Sequence, residues 1–250
     1  MRYFAKLSYV GTAYNGWQVQ ENTPRTVQQV LNESISRLLN EKIEFTGCGR
    51  TDTGVHAAEF YAHFDSQKDL SDPESVYKFN SVVPRDIAVQ ELLRVKDAAH
   101  ARYDAISRSY RYQIIQQRNP FFNERAAFLY APLDIDRMNE AAKALFDYSD
   151  FTSFSKLRTQ VKTNLCKVMR AEWSREGELL VFRITADRFL RNMVRAIVGT
   201  LVRVGKKEIN ADDVRRIIES RDRGNAGESF PAHGLYLEKV VYPAELFLNE

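Results

Sequence analysis

The sequence predicts an α+β protein built from two halves that share one order of secondary-structure elements. Strand-length apolar runs and helix-length periodic runs follow one another as β-α-β-β-α-β, and this order occurs twice. No stretch rich in Pro, Gly or Ser separates the two copies. We therefore expect two ferredoxin-like halves, residues 1–104 and 105–250, sharing a mostly antiparallel central sheet with an active-site cleft between them.

The first half begins with a strand at Tyr3 to Val10, where large apolar residues alternate with other residues. Thr26 then opens a helix, and Gln29 three places later completes the pattern of a capping box. Apolar residues at helical spacing give this helix a core face. The remaining elements are expected as strands at Ile43 to Thr46, Phe60 to Phe64 and Ile87 to Val95, and as a helix that starts at Asp72 and Pro73.

The second half repeats the order and adds a further helix. A hairpin is expected to turn at Glu176 and Gly177, because two apolar runs flank this pair. The strands of this half are expected at Arg108 to Ile115, Leu165 to Ser174, Leu179 to Thr185 and Leu235 to Tyr242. The helices are expected at Asp134 to Phe146, Phe189 to Val204 and Asp212 to Ser220.

Composition describes an ordinary globular chain of 250 residues, with 44% hydrophobic and 28% charged residues. The chain shows neither a secretory signal nor an apolar run of the roughly 20 residues that cross a bilayer, so we expect a cytoplasmic protein without membrane contact. Cys48 and Cys166 are too few for a disulfide framework or a structural zinc site.

A net charge of +3 is mild for a nucleic-acid binder, so any basic surface must be concentrated. Arginines do cluster, at positions 102, 108 and 111 and at 188, 191, 195 and 203.

The densest chemical signal is the segment Gly47 to Ala57, which reads Gly-Cys-Gly-Arg-Thr-Asp-Thr-Gly-Val-His-Ala. Its glycines permit unusual dihedral angles and close backbone approach. Among them stand a cation, a carboxylate, two hydroxyls and an imidazole, which a plain surface turn does not need. Composition is equally compatible with a catalytic loop and with a tight turn in which Asp52 caps backbone amides. A phosphate-binding loop is disfavoured, because no lysine follows the glycines.

Residues 49–57 resemble the signature of the tRNA pseudouridine synthase A family. Further blocks match the family in the same order and extend the resemblance over nearly the whole chain. They are Tyr14 to Gln20, Pro84 to Val89, His100 to Ala105, Ser107 to Tyr112, Phe189 to Arg195 and Pro231 to Leu237. The chain departs from the family pattern at Val10-Gly11, where Asp-Gly is frequent, and near Arg191, where His or Tyr is common.

This resemblance implies a cofactor-independent and metal-independent isomerase that converts uridine to pseudouridine at positions 38, 39 and 40 in the anticodon stem-loop of tRNA. It also implies a homodimer. The catalytic aspartate of the family maps onto Asp52, its active-site tyrosine onto Tyr110 and its late-helix arginine onto Arg195. A carboxylate loses hydration in a partly dry cleft, and a cation such as Arg195 offsets that cost. The ring of Tyr110 is expected to stack on a uracil extracted from its helix.

The same resemblance, read with the local chemistry, gives a set of substrate-binding residues. They are Arg50, Thr51, Thr53, His56, Tyr110, Arg188, Arg191 and Leu235. Arg50, Arg188 and Arg191 are expected to meet phosphates, while His56 is expected to order the loop through a hydrogen bond. On a helix, positions 188, 191 and 195 would share one arc, which without the resemblance is an ordinary solvated arginine face.

Two rival functions come from other classes. A non-catalytic RNA-binding protein of tandem RRM-like units would also place aromatic residues such as Tyr110 and Tyr112 in central strands. That alternative leaves the Arg-Thr-Asp loop unexplained, because stacking alone does not need it. A metal-dependent hydrolase using Asp52 and His56 is the second rival, and one carboxylate beside one histidine is a thin ligand set.

Overall fold

The computed structural model describes residues 1–21, 23, 25–156 and 163–248. Within these ranges the chain forms nine β-strands and five α-helices, which confirms the α+β class. Contacts divide the chain into two compact units, residues 1–106 with 237–250 and residues 107–236. The sequence-based division differs in placing residues 237–250 with the second half. No helix in the described ranges is long and apolar enough to cross a membrane.

The first unit is a small antiparallel arrangement of strands with two helices. Its elements are β1 (Arg2–Tyr9), α1 (Val27–Leu39), β2 (Thr46–Gly47), β3 (His56–Asp65), α2 (Glu74–Val82), β4 (Ile87–Arg94) and, at its end, most of β9 (Leu235–Val241). β1 pairs antiparallel with both β3 and β4, and β2 pairs with β3. The strand order is β4-β1-β3-β9.

β3 is twice as long as the apolar run that predicts it. The sequence signal covers only Phe60 to Phe64, whereas the strand begins at His56. The part of the strand before Phe60 is held by the ladder to β1, in which Tyr9 lies opposite Ala57. The carboxylate of Glu59 also accepts a hydrogen bond from the backbone N–H of Val240 at 2.9 Å. Tertiary pairing therefore extends the strand beyond its hydrophobic core.

α1 starts where its sequence predicts. The Thr26 hydroxyl accepts a hydrogen bond from the backbone N–H of Gln29 at 3.2 Å, which satisfies one of the free amides of the first turn. Asn40 ends the helix in the left-handed conformation, with φ of 52°. The buried apolar residues of this helix recur at helical spacing and are Val27, Leu31, Ile35 and Leu39.

The second unit contains the remaining elements. They are β5 (Ser107–Ile115), β6 (Ala127–Phe128), α3 (Ile135–Ala142), β7 (Val168–Glu176), β8 (Leu179–Ala186), α4 (Met193–Gly205) and α5 (Ala211–Ser220). β8 pairs antiparallel with β5 and β7, and β6 pairs parallel with β5. The predicted hairpin is confirmed, with Gly177 at φ of 59° in its turn. Short 3₁₀ helices occur in the chain at Gly11–Ala13, Pro120–Phe122, Lys143–Phe146, Thr152–Phe154, Ala232–Gly234 and Ala244–Leu246.

The predicted start of α4 is wrong by one turn. The helix begins at Met193 and not at Phe189, because Asn192 adopts the left-handed conformation with φ of 69°. A left-handed residue cannot continue a right-handed helix. Arg188 and Arg191 therefore lie in the segment before α4, and the expectation that they share a helical arc with Arg195 is wrong.

Candidate active site

Asp52 lies in the loop that joins β2 to β3 in the first unit. Its side chain is half-buried, and the neighbouring Arg50 and Thr53 are exposed. A tight turn follows, in which the N–H of Val55 donates to the carbonyl of Asp52 at 3.1 Å. Gly54 within this turn has a φ of 79°, which favours glycine. The loop thus presents a carboxylate at a surface bend.

The N-terminal segment 10–17 holds this loop through backbone hydrogen bonds. The N–H of Trp17 donates to the carbonyl of Thr51 at 3.2 Å, and the N–H of Gly54 donates to the carbonyl of Tyr14 at 3.3 Å. These two bonds bracket Asp52 on both sides along the chain. The segment, which we call the supporting turn, therefore fixes the backbone that carries the carboxylate.

His56 contributes to the same support. Its ring is buried, and its Nδ1 accepts a hydrogen bond from the N–H of Gly11 at 3.0 Å. An imidazole that accepts at Nδ1 carries no proton there. His56 therefore ties the end of the loop to the supporting turn through a hydrogen bond.

Two glycines of the supporting turn lie where no side chain fits. A Cβ atom at Gly11 would stand 2.0 Å from the carbonyl oxygen of Val55, and one at Gly16 would stand 2.3 Å from that of Thr51. Gly16 also has a φ of 81°. Both positions need glycine because the turn and the Asp52 loop approach backbone to backbone.

Two side-chain hydrogen bonds also hold the loop and the supporting turn. The hydroxyls of Thr51 and Tyr9 share a buried hydrogen bond of 2.9 Å. The Tyr14 hydroxyl donates to the Oδ1 of Asp86 at 2.6 Å. Burial, together with this carboxylate, raises the pKa of Tyr14 to about 12, so the phenol stays protonated and keeps its donor role at neutral pH.

In the second unit, Tyr110 and Tyr112 follow one another on the same face of β5. Tyr110 is half-buried, and its ring meets Phe189 edge to face at 5.0 Å between centroids. Tyr112 is fully buried, and its hydroxyl donates to the carbonyl of Pro231 at 2.6 Å. Burial raises the pKa of Tyr112 well above its ordinary value. The two tyrosines therefore differ: Tyr112 belongs to the core, and Tyr110 is the partly open one.

Arg195 lies in the first turn of α4 and binds the chain just before the block Pro231 to Leu237. Its Nε donates to the carbonyl of Phe230 at 2.5 Å, and the N–H of Phe230 donates to the carbonyl of Arg195 at 3.2 Å. The Phe230 ring packs on Tyr112 at 5.9 Å. A Cβ at Gly234 would stand 2.7 Å from the Tyr112 ring, and the buried Leu235 follows that glycine. The structure therefore brings Arg195, Tyr112 and the Leu235 segment together.

Arg188 and Arg191 lie apart from that helix. The backbone N–H of Arg188 donates to the Oδ1 of Asp187 at 2.7 Å, and the exposed Arg191 accepts through its carbonyl from the N–H of Lys156 at 3.0 Å. The nearby Cys166 is buried, which raises the pKa of its thiol to about 12. A thiol in that state is a poor nucleophile at neutral pH.

Comparison with known proteins identifies the family. The family described as tRNA pseudouridine synthase matches residues 5–104 and 141–243 of the chain. The chain belongs to the tRNA pseudouridine synthase family. It is 50% identical to the tRNA pseudouridine synthase A of Bacteroides fragilis over 98% of both chains, and 51% identical to that of Porphyromonas gingivalis over 99% of both. It is 39% identical to the enzyme of the same name from Bacillus licheniformis, over 97% of this chain and 99% of the relative.

The sequence predicts one part of the candidate site and not another. The sequence predicts the loop with Asp52 as the candidate site, and it does not predict that the supporting turn holds this loop. A signal is present, because Gly11 and Gly16 stand on either side of Tyr14, and Tyr14 to Gln20 is a block that matches the family. Across the described ranges, no three side chains of His, Cys, Asp or Glu are grouped as they would be around a metal ion.

Proposed function

We propose that this chain converts uridines at positions 38, 39 and 40 of the tRNA anticodon stem-loop to pseudouridine, with Asp52 as the catalytic carboxylate. Membership of the tRNA pseudouridine synthase family supports the reaction and its substrate. The observation that carries the assignment of Asp52 is its place at a half-exposed bend, bracketed by hydrogen bonds to the supporting turn. A fixed backbone on both sides limits the positions that the carboxylate can take.

The reaction needs a group that holds the nucleotide while its glycosidic bond is open. The bond from nitrogen 1 of uracil to carbon 1′ of ribose breaks, the base turns, and a bond from carbon 5 to carbon 1′ forms. Carbon 5 loses a proton and nitrogen 1 gains one, so the atoms and electrons balance without an added reactant. The Asp52 carboxylate suits this task, either by attacking the base or sugar carbon or by stabilising positive charge on the sugar.

The remaining roles follow from chemistry and exposure. Tyr110 is assigned to stack on the extracted uracil and to assist proton removal from carbon 5, which its half-open position supports. Arg195 is assigned to supply positive charge, because its guanidinium is oriented by the Phe230 carbonyl. Leu235 is assigned to an apolar wall. The RNA contacts are assigned to Arg50, Thr53, Arg188 and Arg191, whereas the predicted substrate-binding residues Thr51 and His56 are buried and are assigned to holding the loop.

The first unit supports the ferredoxin-like assignment of the predicted halves. Its order β4-β1-β3, with β2 on β3 and two helices, is that of a split βαβ unit. The shared sheet, the cleft and the homodimer stay predictions of the sequence. We also place the chain in the cytoplasm, because its relatives are bacterial enzymes named for tRNA.

Tritium release tests the proposed function. The wild-type chain is expected to release tritium from tRNA labelled at carbon 5 of uridine, and Asp52→Asn is expected to release none while keeping its tRNA affinity. This change removes a charge and little volume. Asp97→Asn, at a carboxylate that is 81% exposed in the same unit, is the matched control and should retain the wild-type rate. Release by Asp52→Asn at the wild-type rate would remove Asp52 from its role, and no release by the wild-type chain would favour the non-catalytic rival.

A further inference from the structure

The loop 96–105 between β4 and β5 exposes an aromatic ring beside a cation. Tyr103 is 74% exposed, although it sits in a segment whose backbone is firmly held. The guanidinium of Arg102 lies 5.7 Å from the centre of the Tyr103 ring. The ring of His100 lies 4.2 Å from the same centre and is tilted by 34°. The His100 and Tyr103 rings are therefore in contact, and the Tyr103 ring is exposed to solvent.

Hydrogen bonds fix this loop to the first unit. The N–H of Ala101 donates to the Nδ1 of His63 at 3.1 Å, and the hydroxyl of Tyr242 donates to the Ala101 carbonyl at 2.5 Å. The N–H of His100 donates to the Oδ2 of Asp104 at 2.7 Å. His100 also packs edge to face on His63 at 4.6 Å. Because the backbone is tied on both sides, the Tyr103 ring is presented with little freedom to lose on binding.

We propose that Tyr103 and Arg102 form a second RNA-binding site, on which an unpaired base of the bound tRNA stacks while Arg102 contacts its phosphate. Every base has a π-face, so an exposed aromatic ring binds unpaired bases with little regard to sequence. A guanidinium beside the ring adds a charged contact to the adjoining backbone. His100 supports the ring from its side, so a stacked base would extend a ladder already present.

This site, which we call the Tyr103 platform, is built on the loop 96–105 and not on the loop that carries Asp52. His63 packs against His100 of the platform and pairs with Thr46 of β2, and Asp52 stands six residues after Thr46, which at roughly 3.4 Å per residue is at most about 20 Å of chain. A tRNA engaged at Asp52 is longer than that separation. The platform therefore acts on substrate binding and not on the reacting atoms. The proposal rests on the proposed function in taking tRNA as the bound RNA, but not on the role of Asp52.

Binding of already modified tRNA tests the platform without any turnover. Tyr103→Ala is expected to weaken the affinity about tenfold, while Tyr103→Phe should stay close to the wild-type value because its ring still stacks. Tyr77→Ala is the matched control, since Tyr77 is also 74% exposed and lies on α2 of the same unit. In turnover assays on unmodified tRNA, the loss for Tyr103→Ala should appear in KM. Equal affinities for Tyr103→Ala and Tyr77→Ala would overturn the proposal.

Charge and stacking can be separated by two further variants. Arg102→Gln should lower the slope of log affinity against log salt by about one, as expected for one lost phosphate contact. Tyr103→Trp should add indole fluorescence to that of Trp17 and Trp173, and tRNA should quench the added part, whereas tRNA should not quench the part that Tyr77→Trp adds. Indole fluorescence of the Tyr103→Trp variant that tRNA leaves unquenched would contradict stacking. A fall in particle mass for Tyr103→Ala would instead show that the ring contacts a second copy of the chain, which also overturns the proposal.

Discussion

At the scale of single residues, glycine is required at two positions for different structural reasons. Gly16 and Gly177 both adopt positive φ values, of 81° and 59°. A Cβ at Gly16 would collide with the Thr51 carbonyl, whereas a Cβ at Gly177 would meet nothing within 4 Å. Gly177 therefore serves only its own turn, and Gly16 also serves the loop that carries Asp52.

Gly16→Ala is expected to impair catalysis beyond its effect on stability. Both Gly16→Ala and Gly177→Ala force alanine into the left-handed region, which costs about 1–2 kcal/mol of folding free energy. Only Gly16→Ala must also displace the Thr51 backbone and with it Asp52. We expect kcat to fall about a hundredfold, because small misplacements of a reacting group have effects of that size. Tritium release and thermal unfolding on both variants measure the difference, and equal kcat values would contradict it.

The guanidinium of Arg195 offers a second prediction at this scale. Arg195→Met removes both the charge and the Nε donor to Phe230, while Arg195→Lys keeps the charge alone. Because the proposed role of Arg195 is to supply charge, we expect the rates to follow the order wild type, Lys, Met, with Met reduced roughly 10²-fold. Arg203→Met on the same helix is the control and should remain active. A Met variant as fast as the wild type would place the function of Arg195 elsewhere.

At the scale of elements, the sequence predicts what depends on local pattern and misses what depends on neighbours. The cap at Thr26 and the hairpin at Gly177 follow from local chemistry, and both are present. The late start of α4, at Met193, depends on Asn192, which adopts the left-handed conformation. The side chain of Asn192 donates a hydrogen bond to the hydroxyl of Ser229, which lies in a distant segment. Helical periodicity does not reveal such a contact, so the predicted helix begins one turn too early.

The start of α5 provides a stability prediction for one element. The Asn210 side chain accepts from the N–H of Asp213 at 3.1 Å, and the Asp213 carboxylate accepts from the N–H of Asn210 at 2.8 Å. Asn210→Ala should lower the free energy of unfolding by about 1 kcal/mol, because it leaves a first-turn amide without its partner. Asn210→Asp keeps an acceptor oxygen and should lose much less. Denaturant unfolding separates the two, and equal losses would mean that the cap is not what stabilises the helix start.

At the scale of the whole molecule, the candidate site was predictable only in part. Asp52 and its glycines stand in one continuous segment, so the sequence displays them together. The supporting turn lies some forty residues earlier, and its two glycines make sense only when the close approach to the carbonyls of Thr51 and Val55 is seen. Residues 237–248 likewise join the first unit through long-range contacts, as in the hydrogen bond from the N–H of Val240 to Glu59. Contacts of this range have no local signal in the chain.

Stability of the fold is expected to fall in mild acid because of one buried imidazole. Burial lowers the pKa of His63 to about 4, and the positive charges of His100 and Arg2 act in the same direction. In the unfolded chain the pKa is about 6.5, so above that pH both states are neutral and stability does not depend on His63. As pH falls from 6.5 towards 4, the unfolded chain binds a proton that the folded chain does not, and its contribution to stability is lost. The Nδ1 of His63 accepts the Ala101 N–H, so the folded state resists protonation at that atom.

We therefore expect Tm to decrease between pH 6.5 and 5, and to decrease less steeply in His63→Gln, whose amide does not titrate. A His63→Gln profile as steep as that of the wild type would show that other groups govern acid unfolding.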